Sequence, residues 1–510
     1  MDKFEKLERN TGKKLYKYQH DAIDKILEKL EDNDHKVNLL YQLPTGGGKT
    51  VIFSEFARRY INDTKKKVVI LTHRIELCGQ TSRMLDEFGV PNKIIDSKIK
   101  ELDDQDDFLC FVAMVETLNN RLIDQKIKLN EVGLVIIDEA HYNSFRKLFK
   151  YFEGSVVLGV TATPLSSNIK LPMRDNYDEL IVGESISSLI KQNFLAKAKT
   201  YTYNVNLNSL RIGANGDYTV ASSERLYSNF LMQEKLLQAY MEKSRGLKTL
   251  IFNNGIQTSL HVESTFLNAG INVRHLDNTN TEKERREILD WFKNTDDAVL
   301  TSVGILTTGF DEPTVRSIIL NRATRSLTLY HQMIGRGSRR LPNKDHFIVI
   351  DLGNNVMRFG LWETYMDWAD IFKAPISFLN GLQSDDEIQK NFKYQMPDEL
   401  RNRFSKSTNI DFDIKEEYKR SFAAREKSKM VIERSIQQHI QICIENSEDI
   451  VDALELAEAL KEEIEFRVKT FSYCITTTSD NYRQWLTEDY TRKLLHGIRQ
   501  SQQKKDLAKA

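Results

Sequence analysis

The chain has 510 residues, of which 73 are Lys or Arg and 73 are Asp or Glu, so its formal net charge is zero. A length of this order predicts about three domains rather than one. The 25 Phe, 19 Tyr and 4 Trp exclude a disordered, highly charged protein, because so many aromatic side chains can build packed cores. The balanced charge argues mildly against nucleic-acid binding, for which a strongly basic domain is the usual sign.

Targeting and membrane segments are absent from the sequence pattern. The first ten residues, MDKFEKLERN, have neither the apolar core of a secretory signal nor the composition of a transit peptide. No apolar run approaches the ~18 residues needed to cross a bilayer. We therefore expect a cytoplasmic protein with no membrane partner. The cysteines form no Cys-x-x-Cys pair, which predicts buried, reduced thiols and no zinc site; they are Cys78, Cys110, Cys443 and Cys474.

Two stretches of the chain alternate short apolar runs with helical patterns. Apolar runs of this length, rich in β-branched residues, are typical of buried parallel strands, and their alternation with helices predicts doubly wound α/β lobes. The runs of the first stretch are 37–41, 67–71, 108–113, 134–137 and 156–160. Those of the second stretch are 248–252, 272–276, 298–302, 317–320 and 347–350.

The domain limits follow from these patterns. A less regular segment, 196–225, rich in Asn, Gly and Thr, joins the two lobes. After about residue 355 the strand pattern fades, and a helical periodicity rich in Glu, Lys, Arg and Gln replaces it. We therefore predict a first lobe at 1–205, a second lobe at 206–355 and a mainly helical accessory domain at 356–510.

A glycine-rich turn follows the first predicted strand. The sequence Leu-Pro-Thr-Gly-Gly-Gly-Lys-Thr at 43–50 leads directly into a helical pattern. Glycines allow the backbone N–H groups to surround a phosphate chain at the positive end of that helix. Thr45, Gly46, Gly47 and Gly48 would form this cradle, Lys49 would reach the β- and γ-phosphates, and Thr50 would bind Mg²⁺. The sequence thus predicts a site for ATP and Mg²⁺, although Leu43 stands where the usual pattern has glycine.

A buried strand ends in two carboxylates, Asp138 and Glu139. Ligands bind at the carboxyl ends of strands in open α/β folds, so Asp138 could hold the metal and its water shell. Glu139 could orient and deprotonate an attacking water. The alternative is an acidic surface turn.

The ordered set of motifs resembles superfamily 2 DEAH-box helicases and translocases. It consists of the phosphate loop, Asp-Glu-Ala-His at 138–141, Thr-Ala-Thr-Pro at 161–164, Thr-Gly-Phe-Asp at 308–311 and the run from Gln332 to Arg339. Within that superfamily, 306–313 and 329–337 are most similar to the RadD-like and restriction-helicase-like branch. The resemblance covers about residues 12–355 and implies two RecA-like doubly wound parallel-sheet lobes.

The resemblance also implies roles for residues of the first lobe. Gln19 falls at a motif that reads adenine; the alternative is an exposed side chain on an amphipathic helix. Thr72, Arg74 and Thr117 fall where the family holds nucleic-acid phosphates, and a strand-end turn is the alternative there. Residues that would couple nucleotide state to strand binding are His141, Thr161 and Thr163.

In the second lobe, the resemblance implies that Gly309 and Asp311 approach the nucleotide across a cleft, with Thr308 near the nucleic-acid backbone. Gln332, Arg336 and Arg339 would then join Lys49 and Glu139 in catalysis, since planar guanidinium groups suit the charge of a phosphoryl-transfer transition state. A basic loop that binds phosphate backbone is the alternative for this arginine-rich run.

These implications describe an ATP-dependent helicase or translocase that acts on DNA in repair, recombination or phage defence. One alternative is an RNA helicase, because the Asp-Glu-Ala-His motif occurs in enzymes of both kinds. Another is an ATP-switched scaffold or motor subunit of a multi-protein restriction or defence complex, which would dock a protein partner through 356–510.

Overall fold

The computed structural model describes residues 14–31, 37–99, 102, 105–307, 309–390, 396–475 and 479–509. The chain divides into two compact units between Ser384 and Asp385. Both predicted α/β lobes lie in the first unit. No helix among the described residues is long and apolar enough to cross a membrane.

The first lobe is built on a seven-stranded sheet in the order β3-β4-β2-β5-β6-β1-β7, in which all pairs are parallel. Its strands are β1 (Leu39–Gln42), β2 (Lys67–Thr72), β3 (Asn92–Ile95), β4 (Cys110–Met114), β5 (Val132–Asp138), β6 (Val156–Thr161) and β7 (Glu179–Val182). Its helices are α1 (Lys17–Glu31), α2 (Lys49–Thr64), α3 (Ile75–Glu87), α4 (Val115–Ile123) and α5 (Ile186–Lys191). The central strands are buried on both faces, as a parallel sheet covered by helices requires.

The second lobe has a six-stranded parallel sheet in the order β10-β11-β9-β12-β13-β8. Its strands are β8 (Lys197–Thr202), β9 (Thr249–Asn253), β10 (Val273–Leu276), β11 (Val299–Val303), β12 (Ser317–Asn321) and β13 (His346–Asp351). Its helices are α6 (Val220–Tyr227), α7 (Phe230–Lys243), α8 (Ile256–Asn268), α9 (Glu282–Asn294) and α10 (Leu327–Gly335). The predicted fold class, two doubly wound parallel-sheet lobes followed by helices, is confirmed.

All ten predicted strands are present, but three further strands were not predicted. These are β3, β7 and β8, and each lies at an edge of its sheet. β8 falls in the segment that the sequence assigned to an irregular connection and to the first lobe. It pairs with β13 in the second sheet, so the structure begins the second lobe near residue 197 rather than at 206.

Residues 355–384, which we call the return segment, follow the second sheet and belong to the first compact unit. They contain α11 (Asn355–Phe359), α12 (Trp368–Lys373) and α13 (Pro375–Gly381). Trp362 is fully buried against Phe347 of β13, with ring centroids 5.9 Å apart. Phe372 of α12 instead belongs to a core cluster of the first lobe. The return segment therefore contacts both lobes, which differs from its predicted place in the accessory domain.

The second compact unit is helical in its described part. Its helices are α14 (Asp385–Lys390), α15 (Asp398–Arg403), α16 (Ile414–Ala423), α17 (Lys429–Asn446), α18 (Ile450–Ala459), α19 (Lys461–Cys474) and α20 (Asp480–Lys509). They enclose a separate apolar core. A polar network crosses that core: Tyr490 Oη lies 3.0 Å from His439 Nδ1, and Glu463 contacts both His439 and Arg467.

The buried network predicts a pH dependence of stability. Burial, and then Arg467, lower the pKa of His439 to about 4. An unfolded chain binds a proton at this side chain near its ordinary pKa of about 6.5, whereas the folded unit does not until about pH 4. Because of His439, the free energy of unfolding should therefore decrease by about 2–3 kcal/mol as the pH drops from about 6.5 to 4.

Urea unfolding of wild type and H439Q at several pH values measures this contribution. The free energy of unfolding of wild type should fall more steeply than that of the variant across the window. Parallel curves for the two proteins would contradict the assignment of a neutral buried imidazole.

Candidate active site between the two lobes

The glycine-rich turn wraps the amino end of α2 beside the carboxyl ends of β1 and β6. Leu43 N donates to Thr161 O at 3.0 Å, which fixes the start of the turn to the sheet. Gly46 and Gly48 have φ values of 92° and 86°, a region that glycine adopts without strain. The turn thus has the sharp shape needed to aim backbone N–H groups at one point in front of α2.

Helix α1 packs directly on this turn. Tyr18 Oη donates to Gly47 O at 2.7 Å. Gln19 Oε1 accepts from Tyr16 N at 3.0 Å, and Gln19 Nε2 would lie 2.7 Å from a Cβ atom placed on Gly48. Gln19 is 3% exposed, so the exposed-glutamine alternative is wrong. Its contact with adenine stays a prediction.

Asp138 and Glu139 lie at the carboxyl end of β5, facing the turn. Asp138 Oδ1 accepts from Glu139 N at 2.9 Å. Glu139 has a left-handed φ of 52°, a conformation that costs on the order of 1–3 kcal/mol for a non-glycine residue. Both are nearly fully buried, so the surface-turn alternative is wrong, and within the described chain Glu139 Oε2 accepts no hydrogen bond.

The charged side chains of this site influence one another. Burial lowers the pKa of Lys49, while the carboxylates of Glu139 and Asp138 partly oppose that shift. Burial and the neighbouring Glu139 raise the pKa of Asp138 to about 7. Burial also disfavours a charged Glu139, but Lys49, His141 and Arg336 outweigh it and hold the pKa of Glu139 below its usual value. The site therefore contains one carboxylate kept ionised beside one that is easily protonated.

The second lobe contributes two arginines to the opposite wall. Arg336 donates from Nη1 to Phe310 O at 2.5 Å and from Nη2 to Thr307 O at 2.6 Å. Burial, and then Arg339, lower the pKa of Arg336 to about 10, while Glu139 raises it. Arg339 Nε donates to Asp311 Oδ1 at 2.8 Å, and its Nη1 would lie 2.7 Å from a Cβ atom on Gly46. Both arginines thus belong to the same site as the glycine-rich turn.

Further contacts close the cleft around these charges. A Cβ atom on Gly335, at the end of α10, would lie 2.6 Å from Thr45 Cβ. Thr163 Oγ1 donates to Thr328 Oγ1 of α10 at 2.8 Å. On the first lobe, His141 Nδ1 lies 3.1 Å from Thr161 Oγ1. The predicted coupling residues therefore connect Glu139 with the second lobe.

A second group of contacts joins the lobes beside β2. Arg74 Nη1 donates to Ile305 O at 2.7 Å, and its Nη2 donates to Gly304 O at 3.1 Å. Gln80 of α3 donates to Gly309 O at 2.8 Å. The guanidinium of Arg74, predicted to hold strand phosphates, is thus occupied here by backbone carbonyls of the second lobe.

The other predicted nucleic-acid residues differ in their surroundings. Thr72 is fully buried, and its hydroxyl contacts Cys78 Sγ at 3.0 Å and donates to Arg74 O at 3.1 Å. The hydroxyl stabilises the start of α3 in this arrangement, and the contact of Thr72 with nucleic acid stays a prediction. Thr117 lies partly exposed in the first turn of α4. Thr308 lies outside the described residues.

Sequence reasoning missed two ring systems beside the site, His73 and Tyr142. The Tyr142 ring centroid lies 4.7 Å from that of His73 and 4.3 Å from that of His141. Both missed residues are direct neighbours of predicted ones in the sequence. Position next to a motif was the only available signal, since an aromatic residue after a strand is usually a core residue.

Family models match both lobes. Residues 12–166 match the family "Type III restriction enzyme, res subunit", and residues 232–340 match the "Helicase conserved C-terminal domain". The cleft described above lies between these two regions.

Two curated relatives and one solved structure agree with these models. The chain is 33% identical over 360 residues to IRC3 of Saccharomyces cerevisiae, whose name describes an ATP-dependent helicase; the match covers 66% of this chain and 51% of that protein. It is 23% identical to the type I restriction enzyme EcoAI endonuclease subunit of Escherichia coli, covering 64% and 44%. The chain thus spans about half the length of these relatives.

A fragment described as the HsdR subunit of a type I restriction enzyme from Vibrio vulnificus has the same fold. The two structures superimpose with a TM-score of 0.55 at 20% identity, covering 69% of this chain and 67% of that one.

The close approach of Gly335 to Thr45 predicts that a methyl group added at residue 335 would push the two lobes apart. In G335A the new Cβ would collide with Thr45 across the cleft, although alanine favours the helix that contains it. We expect each lobe to stay folded while the lobes move apart. Energy transfer between dyes on the two lobes measures this separation.

The matched control is G381A, at the end of α13, where an added Cβ meets no atom within 4 Å. It should keep the wild-type transfer efficiency. An unchanged efficiency in G335A would show that the cleft can absorb the extra methyl group.

Proposed function

Because the chain belongs to superfamily 2 of the helicases, in the restriction-helicase-like branch, we propose that it is a nucleic-acid-dependent ATPase that moves along DNA. The observation that carries this proposal is the arrangement of charge in the cleft. Arg339 Nη1 of the second lobe would lie 2.7 Å from a Cβ atom on Gly46 of the glycine-rich turn, and Arg336 lowers the pKa of both Lys49 and Glu139. Such a site suits a substrate that carries several phosphates.

Binding of ATP would use the first lobe. The glycine-rich turn, Gly46 to Gly48, would surround the phosphates with backbone N–H groups, and Lys49 would bind the terminal phosphates. Gln19 would contact adenine with an amide that can donate and accept. Gly309 and Asp311 would complete the pocket from the second lobe.

Mg²⁺ fits the oxygen ligands at this point. Asp138 and Glu139 are two buried carboxylates side by side, and a divalent cation would reduce their repulsion. Asp138 and the hydroxyl of Thr50 are ligands of the hard type that Mg²⁺ takes. Within the described residues, no cluster of three or more His, Cys, Asp or Glu side chains could hold a metal ion. Bound Mg²⁺ would offset phosphate charge.

Glu139 would act as the general base. Its pKa is held low, so it is ionised at neutral pH, and its Oε2 is available to orient a water. Arg336, Arg339 and Gln332 would donate to the phosphoryl oxygens as charge develops on them. Only a closed cleft brings these groups together, so each turnover would close and open the lobes.

Movement along a strand would follow if both lobes hold it. Arg74 lies where the two lobes meet beside β2, and Thr117 lies partly exposed in the first turn of α4. We propose that a strand displaces the Arg74 contacts with Gly304 and Ile305 and takes the guanidinium as a phosphate ligand. The DNA preference rests on the restriction-enzyme relative, and repair, recombination or phage defence in the cytoplasm are the proposed settings.

Substitution of the proposed base tests the mechanism. E139Q should lower the rate of ATP hydrolysis by about 10²–10⁴-fold while ATP still binds, because the amide keeps the shape of the side chain but cannot accept the proton. Steady-state hydrolysis and binding of a fluorescent ATP analogue measure the two effects.

The control is E153Q, the same change at an exposed glutamate of the first lobe, which should hydrolyse ATP like wild type. Wild-type turnover in E139Q would rule out Glu139 as the base.

Hydrolysis measured with single-stranded DNA, duplex DNA, forks and RNA at several salt concentrations tests the nucleic-acid preference. DNA should stimulate turnover, and less so at high salt, since phosphate contacts release counterions. Stimulation by RNA alone would identify an RNA helicase instead. A complex whose activity survives E139Q would favour the scaffold alternative, with a partner docked on 356–510.

A further inference from the structure

A cavity of about 220 Å³ lies where the return segment meets both lobes. Its walls come from the carboxyl end of β1, the residues of 182–187 that lead into α5, His331 of α10, and 363–369 of the return segment. None of the described residues proposed to hold ATP or Mg²⁺ lines it. Since a cavity of about 150 Å³ can hold benzene, this one has room for a single ring with a short polar arm.

Three polar groups of the cavity wall are hydrogen-bond acceptors. Gln42 is 1% exposed, and its Nε2 donates to Ala162 O at 3.0 Å, which leaves the amide oxygen for a ligand. Glu363 and Asp367 add two carboxyl groups. Asp367 uses Oδ1 to accept from Asp370 N at 2.9 Å, at the start of α12. A ligand that binds these three groups must supply N–H or O–H donors.

The charged groups of the wall are negative. Among the described residues that line the cavity there is no Lys or Arg. His331 adds no positive charge at neutral pH, because burial lowers its pKa to about 4. Glu363 Oε2 is buried and, within the described chain, accepts no hydrogen bond. An uncompensated buried carboxylate oxygen is costly, and a positive charge in the adjoining cavity would reduce that cost.

Aromatic rings supply much of the apolar surface. The ring of Trp368 lies 5.8 Å from that of His331 between centroids, with 70° between their planes, which is a favourable edge-on arrangement. Tyr365 and Val182 also line the cavity and are 76% and 41% exposed, so the cavity opens to solvent on their side. Trp and Tyr are ring types over which cations bind well.

We propose that this cavity binds a small organic cation, in which one ammonium or guanidinium group is joined to an apolar body about the size of a single ring. The N–H groups of the cation would donate to Gln42 Oε1 and lie close to Glu363 and Asp367. The apolar body would pack on Trp368 and Tyr365. This site is additional to the proposed ATPase activity and does not depend on it.

Probes that differ only in the polar arm test the charge preference. Benzylammonium, benzyl alcohol and benzoate share one ring, and ligand-observed NMR titrations measure the affinity of the full-length protein for each. Benzylammonium should bind about tenfold more tightly than benzyl alcohol, and benzoate should bind most weakly, because its carboxylate would lie beside Glu363 and Asp367. Benzoate binding as tight as that of benzylammonium would overturn the proposal.

Two variants of the same type show where the cation binds. E363Q keeps the shape of the side chain and removes its charge, so benzylammonium should bind about 5–10-fold more weakly while benzyl alcohol binds nearly as before. The matched control is E139Q, because Asp138 and Glu139 are buried carboxylates that could also attract a cation. It should bind benzylammonium like wild type.

The remaining outcomes are distinct. Weaker binding in E139Q together with wild-type affinity in E363Q would place the cation in the ATP cleft and overturn the assignment. Equal affinities in wild type and both variants, or no binding of any probe, would overturn it as well. Failure here and failure of the proposed function are separable, since none of these measurements requires ATP or nucleic acid.

Discussion

The cleft depends on bringing opposite charges together, at the carboxyl end of the first sheet and at the amino end of the second. Asp138 and Glu139 end β5 of one lobe, and Arg336 and Arg339 follow α10 of the other. Removal of such groups from water costs several kcal/mol per ion, and the cost is offset only where partners and hydrogen bonds are supplied. Arg336 donates to two backbone carbonyls for this reason. The contacts of Gly335 with Thr45 and of Thr163 with Thr328 hold the two walls at the required spacing.

The sequence was sufficient for the central strands and for the polar groups that follow them. A parallel strand buried on both faces needs a continuous apolar run, and such runs are visible at 67–71 and 134–137. Edge strands lack this signal, because one side is open. In β8, with the sequence KAKTYT, alternate side chains are polar and exposed, so nothing distinguished it from a loop until β13 was seen beside it.

Side-chain direction was not predictable in the same way. Thr72 and Arg74 have the residue types of a phosphate-binding turn, yet the hydroxyl of Thr72 faces Cys78 inside the lobe, and the guanidinium of Arg74 faces the other lobe. The direction of Arg74 depends on residues 304–305, which are distant in the chain. The direction of Thr72 depends on where α3 starts. The same limit hid Tyr142, because the two rings that it contacts, His73 and His141, follow different strands.

The return segment gives the chain a second passage between the lobes. The first passage is at Leu195–Lys197, where Ala196 N donates to Ser338 O at 2.8 Å. The second runs from Trp362, anchored on β13, to Phe372, buried in the first lobe. A lobe joined to its neighbour by two passages has fewer ways to move than a lobe joined by one. The two passages therefore restrict the directions from which the arginines of the second lobe can approach the glycine-rich turn.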